Sequence, residues 1–214
     1  MDTNKRIDYQ KHWNAAYLKT PVANLGWYEE NPTPSLELIE MCNLDKNAQL
    51  FNAGAGATTL INKLIKKGYK NIIVNDIAAN ALADLKESIP DKNKSTINFI
   101  VDDLTNPTQL NKLKNIDLWH DRAVLHFFVE ENQRQTYFNL VKQAVKVNGY
   151  VILAQFNLDG AKKCCGLDVY NYNKEMLQNY LGTNFKLLKA FDYTYTQPSG
   201  NTREYVYTLF KKVA

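Results

Sequence analysis

Two glycines set two residues apart constrain this chain more than any other feature. They fall in Leu50-Phe51-Asn52-Ala53-Gly54-Ala55-Gly56-Ala57-Thr58-Thr59-Leu60, where a short apolar run stops at Gly54 and Gly56 and a helical pattern starts at Thr58 or Thr59. A second apolar run, Asn71-Ile72-Ile73-Val74-Asn75-Asp76, ends at an acid 20 positions after Gly56. That spacing is the one a nucleotide-binding βαβ unit requires: the glycines let the backbone approach a ligand, and the acid accepts from both ribose hydroxyls. A dinucleotide site of the form G-x-G-x-x-G needs a third glycine at position 59, where this chain has Thr59. A β-branched residue there argues against a pyrophosphate and for a phosphate-free nucleoside.

Composition removes several classes of function. The chain has 214 residues, 45% hydrophobic and 22% charged, as expected for one domain of a globular protein with a full core. A net charge of +4, with lysines scattered or in short pairs such as Lys66-Lys67, makes no basic stripe, so no nucleic-acid partner is expected. No apolar run approaches a membrane span, and the start, Met1 to Arg6, is polar with no signal-peptide core, so a cytoplasmic protein with no membrane partner is expected. The three cysteines, Cys42, Cys164 and Cys165, do not form a disulfide framework. His12, His120 and His126 lack metal-ligand spacing, so no metal is expected.

Periodicity predicts alternating elements. Helices are expected over Tyr9 to Tyr17 and, capped by Ser35, to about Met41. Strands are then expected at 50–52, 72–75, 97–101, 116–120 and 150–156, with helical patterns at 59–67, 79–88, 107–114 and 132–145 between them. Such alternation specifies a parallel sheet with helices on both faces. Residues 185–196 and 203–212 alternate apolar and polar around Gln197-Pro198-Ser199-Gly200-Asn201, which predicts a C-terminal antiparallel hairpin. The whole is an α/β, Rossmann-like, seven-stranded mostly parallel sheet.

The glycine segment resembles the first motif of class I S-adenosylmethionine-dependent methyltransferases, and so does the mostly parallel sheet closed by an antiparallel strand. That family usually carries an acid two residues before the first glycine, where this chain has Asn52. An amide keeps a hydrogen-bond acceptor but gives up attraction to the methionine ammonium. On the third strand, Val101-Asp102-Asp103-Leu104 is in register with the family pattern at Asp103. The resemblance implies that Asp103 accepts from the adenine amino group and that Leu104 packs on the ring. Read as residues alone, the acids also suit a helix N-cap.

The fourth strand supplies a second motif, Asp117-Leu118-Trp119-His120-Asp121-Arg122-Ala123-Val124-Leu125-His126-Phe127-Phe128. It resembles the corresponding segment of bacterial class I methyltransferases and is similar to the W-D-R-G-A-L stretch of thiopurine and thiol S-methyltransferases, in register at Asp121, Arg122 and Leu125. His120, Asp121 and Arg122 end a strand facing the methyl donor, where two cations and a carboxylate suit an anionic nucleophile or an acidified thiol. An Asp121–Arg122 structural pair is the alternative. His126, in an apolar stretch, reads as a core histidine.

The N-terminal stretches His12-Trp13-Asn14-Ala15-Ala16-Tyr17 and Leu25-Gly26-Trp27-Tyr28-Glu29-Glu30 resemble the aromatic cover of small-molecule methyltransferases. Trp13 reads as core, Trp27 and Tyr28 as a lid. After the fifth strand, Cys164, Gly166 and Leu167 match the same bacterial group, in the connection that usually forms the acceptor pocket; Cys164 also suits a small buried residue.

The resemblance therefore implies a single domain, with residues 1–45 as a helical cover and 46–214 as the core. Asn52, Ala53, Gly54, Gly56, Asp76 and Ile77 are expected to hold S-adenosylmethionine, and its product S-adenosylhomocysteine, together with Asp103, Leu104, His120 and Trp27. His120 and Arg122 are the expected catalytic residues. Asp121, Arg122, Tyr28 and Cys164 are expected at a small-molecule acceptor, with a thiol as the first candidate. A protein-lysine methyltransferase and a non-catalytic donor-binding module stand as alternatives.

Overall fold

The computed structural model describes residues 7–214; the polar N-terminal stretch Met1 to Arg6 and the start of the expected cover lie outside it. The chain begins with α1 (Tyr9–Lys19) and α2 (Thr33–Met41), then alternates β1 (Gln49–Ala53), α3 (Leu60–Lys66), β2 (Asn71–Asp76), α4 (Ala79–Ser88), a single turn α5 (Asp91–Lys94) and β3 (Ile97–Val101). It continues through β4 (Ile116–Arg122), α6 (Glu131–Ala144), β5 (Val145–Phe156), a two-residue pair β6 (Lys163–Cys164) and β7 (Leu167–Asp168), α7 (Lys174–Leu181), β8 (Phe185–Thr196) and β9 (Thr202–Lys212). One seven-stranded sheet runs β3-β2-β1-β4-β5-β9-β8, with β9 antiparallel to β5 and β8 antiparallel to β9. The order reverses between β1 and β4, so the crevice beyond the carboxyl ends of those two strands is the place for a ligand.

The central strands are apolar throughout because both faces are covered. Successive residues feed opposite cores. Phe51, Ile73, Trp119 and Leu153 pack with Tyr137 and Phe138 of α6 and with Leu177 of α7. Leu50, Ile72, Leu118 and Ile152 pack with Leu38 of α2, Leu60 of α3 and Leu82 of α4. The same alternation fixes the polar ends of the strands. His120 and Arg122 share the α2 face, and Asp121 points to the α6 face.

Two local expectations are corrected. Ser35 does not cap α2: the helix starts at Thr33, helped by Pro34 near its N-terminus, and Ser35 is buried inside it. Residues 107–114 form only a short 3₁₀ turn, Leu110–Lys112, because the Asp102 carboxylate gathers the amides of Thr108, Gln109 and Leu110 at 2.8–2.9 Å and holds them in a tight loop. Helix α7 and the β6–β7 pair were not marked by the sequence periodicity.

No helix among the described residues is long and apolar enough to cross a membrane.

Candidate active site

At the switch point the glycine turn is fastened to β2. Gly54 and Gly56 have φ of 53° and 54°, the left-handed region where a side chain is strained. A Cβ on Gly54 would collide with Val124 and one on Gly56 with the Tyr17 hydroxyl. The amide of Ala55 donates to the Asn75 carbonyl at 2.7 Å, and the amide of Gly56 donates to Asp76 Oδ2 at 2.8 Å. Asp76 Oδ1 accepts from the Ala78 amide at 2.8 Å. Each carboxylate oxygen keeps a further lone pair for a ligand hydroxyl. Burial raises the Asp76 carboxyl to about 6, against the pull of the Ala78, Gly56 and Ile77 amides.

Asn75 Nδ2 donates to the carbonyls of Ile100 and Asp102 at 3.2 and 3.0 Å, which ties the ends of β2 and β3 together. The two adjacent acids then divide their work. Burial alone would raise the Asp102 carboxyl, but the amides of Leu110, Gln109 and Thr108 outweigh it and hold it below the usual range. Asp103 spends one oxygen, Oδ1, on the amide and hydroxyl of Thr105 at 2.7 and 2.8 Å.

A cavity of about 930 Å³, mouth included, opens over this floor. Asp76, Ile77, Asp103 and Leu104 line one end; Phe156, His126, Cys164, Arg203 and Tyr205 line the other. Its roof is aromatic. The Trp13 ring meets Trp27 and Phe127 edge-on, with centroids at 5.7 and 4.8 Å, and Trp27 Nε1 donates to the Tyr17 hydroxyl at 3.2 Å. Trp13 is thus part of the cavity wall rather than core alone.

A smaller second cavity lies behind Tyr17 and Trp27, which line both. Asn52, Gly54, Thr58, Ser35, His120 and Tyr28 surround it. His120 Nε2 bonds the Ser35 hydroxyl at 2.9 Å, and its Nδ1 has no partner. Burial and the nearby Arg122 charge push the His120 imidazole down to about 3, so it is neutral.

Arg122 stands between the cavities and lines both. Its Nε lies 2.9 Å from Glu29 Oε2 and 3.0 Å from the Tyr207 hydroxyl, and Nη1 donates to the Trp27 carbonyl at 3.0 Å. The guanidinium packs over the rings of Tyr195 and Tyr205 at 4.8 and 5.0 Å. Burial works against its charge, but Tyr205, Tyr207 and Glu29 hold it protonated. Nη2 alone has no partner.

These placements revise parts of the sequence expectation. Asp121 and Arg122 do not pair, because consecutive strand residues point to opposite faces. Asp121 lines neither cavity: it is fully buried and accepts from the Tyr137 hydroxyl and Gln155 Nε2 at 2.7 Å each and from the Val124 amide at 3.2 Å. The Ala53 side chain is also buried in the α6-side core. His120, expected to be catalytic, faces the second cavity and not the first, and Tyr28 lies there too. The periodicity did not single out Tyr9, Glu29, Arg203 or Tyr205 for this site. Their only sequence signal is a cluster of aromatic and charged residues in two segments that meet after folding.

The donor's chemistry matches this constellation: a buried carboxylate with free lone pairs suits a ribose, and an aromatic roof suits a sulfonium. No group of three or more His, Cys, Asp or Glu side chains among the described residues is arranged to hold a metal ion.

Residues 51–153 match the family model for a methyltransferase domain. The chain is 15% identical to a SAM-dependent methyltransferase from Anabaena variabilis, with TM-score 0.74 over 95% of this chain and 93% of that one. It is 14% identical to a Burkholderia thailandensis 1,6-didemethyltoxoflavin-N1-methyltransferase, with TM-score 0.67 over 96% of this chain and 85% of that one. EEF1A lysine methyltransferase 2 of Danio rerio is 22% identical over 165 residues, 71% of this chain and 70% of that protein. Fold, strand order and matched domain are those of a class I S-adenosylmethionine-dependent methyltransferase, and S-adenosylmethionine is the cofactor that goes with them.

Proposed function

We propose that the chain transfers the methyl group of S-adenosylmethionine to a small-molecule nucleophile held in the larger cavity, with a thiol as the first candidate. The observation that carries this reading is the aromatic roof: Trp13, Trp27 and Tyr17 line a partly covered cavity with Asp76, a shape suited to a small molecule. Asp76 would take the ribose hydroxyls, Asp103 the adenine amino group, and Ile77 and Leu104 the faces of the ring. Asn52, the Ala53 and Gly54 backbone and His120 would meet the methionine end through the second cavity. Bound there, the donor supplies an electrophilic methyl on a sulfonium. The chain's own residues orient the two reactants and exclude water, which carry most of the acceleration in such transfers. Trp27 would face the donor's sulfonium, and Cys164 would flank the acceptor. Arg122 would hold the roof over it through Glu29 and the Trp27 carbonyl.

The zebrafish relative favours a second reading, methyl transfer to protein lysine. Incubation with tritium-methyl donor and separate pools of metabolites and proteins tests both. Label in the metabolite pool is the expected result; label confined to protein lysines would replace this reading with the second.

A further inference from the structure

His126 sits in the 3₁₀ turn Leu125–Phe127 that follows β4, and it is fully buried. Its backbone is held on both sides: the amide donates to Gln155 Oε1 at 3.2 Å and the carbonyl accepts from the Tyr170 amide at 2.7 Å. Its ring stacks on Phe156, with centroids 4.3 Å apart and planes 18° apart. Yet neither ring nitrogen has a partner, and the ring lines the larger cavity. A histidine kept for packing alone would find a partner for at least one buried nitrogen. Arg203 lines the same end of the cavity, and its buried Nε is also unpartnered. Tyr205, whose ring meets Phe156 at 4.9 Å, and Cys164 line the cavity with them.

We propose that this end of the cavity is the acceptor subsite, that Arg203 receives an anionic group of the acceptor, and that His126 takes the proton of its nucleophilic hydroxyl or thiol. The inference rests on the methyl-transfer reading above and deepens it. In the step, a lone pair of the acceptor oxygen or sulfur forms the bond to the methyl carbon. The carbon–sulfur bond of the donor breaks and its electron pair returns to sulfur. The acceptor's proton moves to a His126 ring nitrogen and leaves to water when product departs. The positive charge lost at sulfur reappears on the imidazole, so the step adds no net charge to the buried site. Burial and Arg122 hold the free imidazole down at about 3, so it is neutral until the acceptor binds, and an anion held beside it at Arg203 would favour its charged form. Asp121 is a positioning residue here: it fixes Gln155 Nε2 at 2.7 Å and the Val124 amide at 3.2 Å, and Gln155 in turn fixes the His126 amide.

The test compares two probes that share a carboxylate. In 4-hydroxybenzoate the nucleophile carries a proton at neutral pH; in 4-mercaptobenzoate it is already a thiolate. His126→Phe keeps the stack on Phe156 and removes the two unpartnered nitrogens. It should leave the melting temperature unchanged or raise it, and leave S-adenosylhomocysteine affinity within about twofold. Turnover on the hydroxy acid should fall about 100-fold or more, and far less on the mercapto acid. Arg203→Gln should raise KM for 4-mercaptobenzoate and not for thiophenol. Equal losses on both acids, no loss on either, a large drop in melting temperature, or no methyl transfer to either acid by the unmodified chain would each overturn the inference while the donor site stands. Failure of the unmodified chain to bind S-adenosylhomocysteine would overturn both the inference and the reading beneath it.

Discussion

The amide of Gly56 donates to Asp76 Oδ2 at 2.8 Å, so the glycine turn after β1 and the acid ending β2 form one hydrogen-bonded unit. The acid organises the turn that approaches the ligand and keeps lone pairs for the ligand itself. Asp76→Ala should therefore weaken binding of S-adenosylhomocysteine by about 1–3 kcal/mol, the range for a lost hydrogen bond to a charged group. Asp102→Ala should instead lower the melting temperature, because Asp102 holds the 108–110 turn. Calorimetric titration of the two variants separates these roles, and equal losses of affinity would refute the division.

The Asp76 carboxyl, raised from 3.8 to about 6, gives binding a pH dependence. In the free protein this group contributes stability that is present below about 3.8 and lost as pH rises through about 6. A ribose held through both hydroxyls by this carboxylate would need the ionised form, so the sign expected for the complex is opposite. The rise in melting temperature produced by S-adenosylhomocysteine should be constant above pH 7 and shrink as pH falls through about 6. Asp76→Asn should flatten that profile.

Glu29 and Arg122 form a buried ion pair at 2.9 Å that fastens the roof to β4. Removing the cation leaves a buried carboxylate, so Arg122→Met should cost about 3–5 kcal/mol of stability by denaturant unfolding. Arg122→Met combined with Glu29→Leu should recover much of it. A single variant of undiminished stability and donor affinity but lower turnover would show that Arg122 acts on the acceptor instead.

Trp27 meets Trp13 and Tyr17 edge-on in the roof. Its aromatic face favours a sulfonium over a thioether by about 0.5–2 kcal/mol. Trp27→Ala should narrow the ratio of affinities for S-adenosylmethionine and S-adenosylhomocysteine several-fold. An unchanged ratio would remove Trp27 from the donor's surroundings.

Asn52, at the second cavity, should tune the donor rather than abolish its binding. Asn52→Asp is expected to tighten S-adenosylmethionine binding up to about tenfold, if about 1.4 kcal/mol of attraction to the ammonium is recovered. Weaker binding would show that this end of the site is built around the amide.

The sheet was legible because its strands are apolar on both faces and end at acids and glycines, signals carried by single short segments. The spacing of Gly56 and Asp76 was legible for the same reason, but the hydrogen bond between them was not. The contacts that close the site were not. Ser35 with His120, Glu29 with Arg122, and Tyr207 with Arg122 join segments that periodicity cannot relate. The helix expected at 107–114 failed because a single upstream carboxylate, Asp102, captured its first amides. The bare motif Asp121-Arg122 suggested a pair, and strand alternation sent the two side chains to different cores.

A nucleoside thioether is expected to bind against Gly54 and Asp76 beneath the aromatic roof. Calorimetric titration with S-adenosylhomocysteine tests it most directly. One binding site per chain is expected, with affinity reduced about fivefold or more in Asp76→Ala. No binding heat with S-adenosylhomocysteine, or the same affinity in Asp76→Ala as in the unmodified chain, would contradict it.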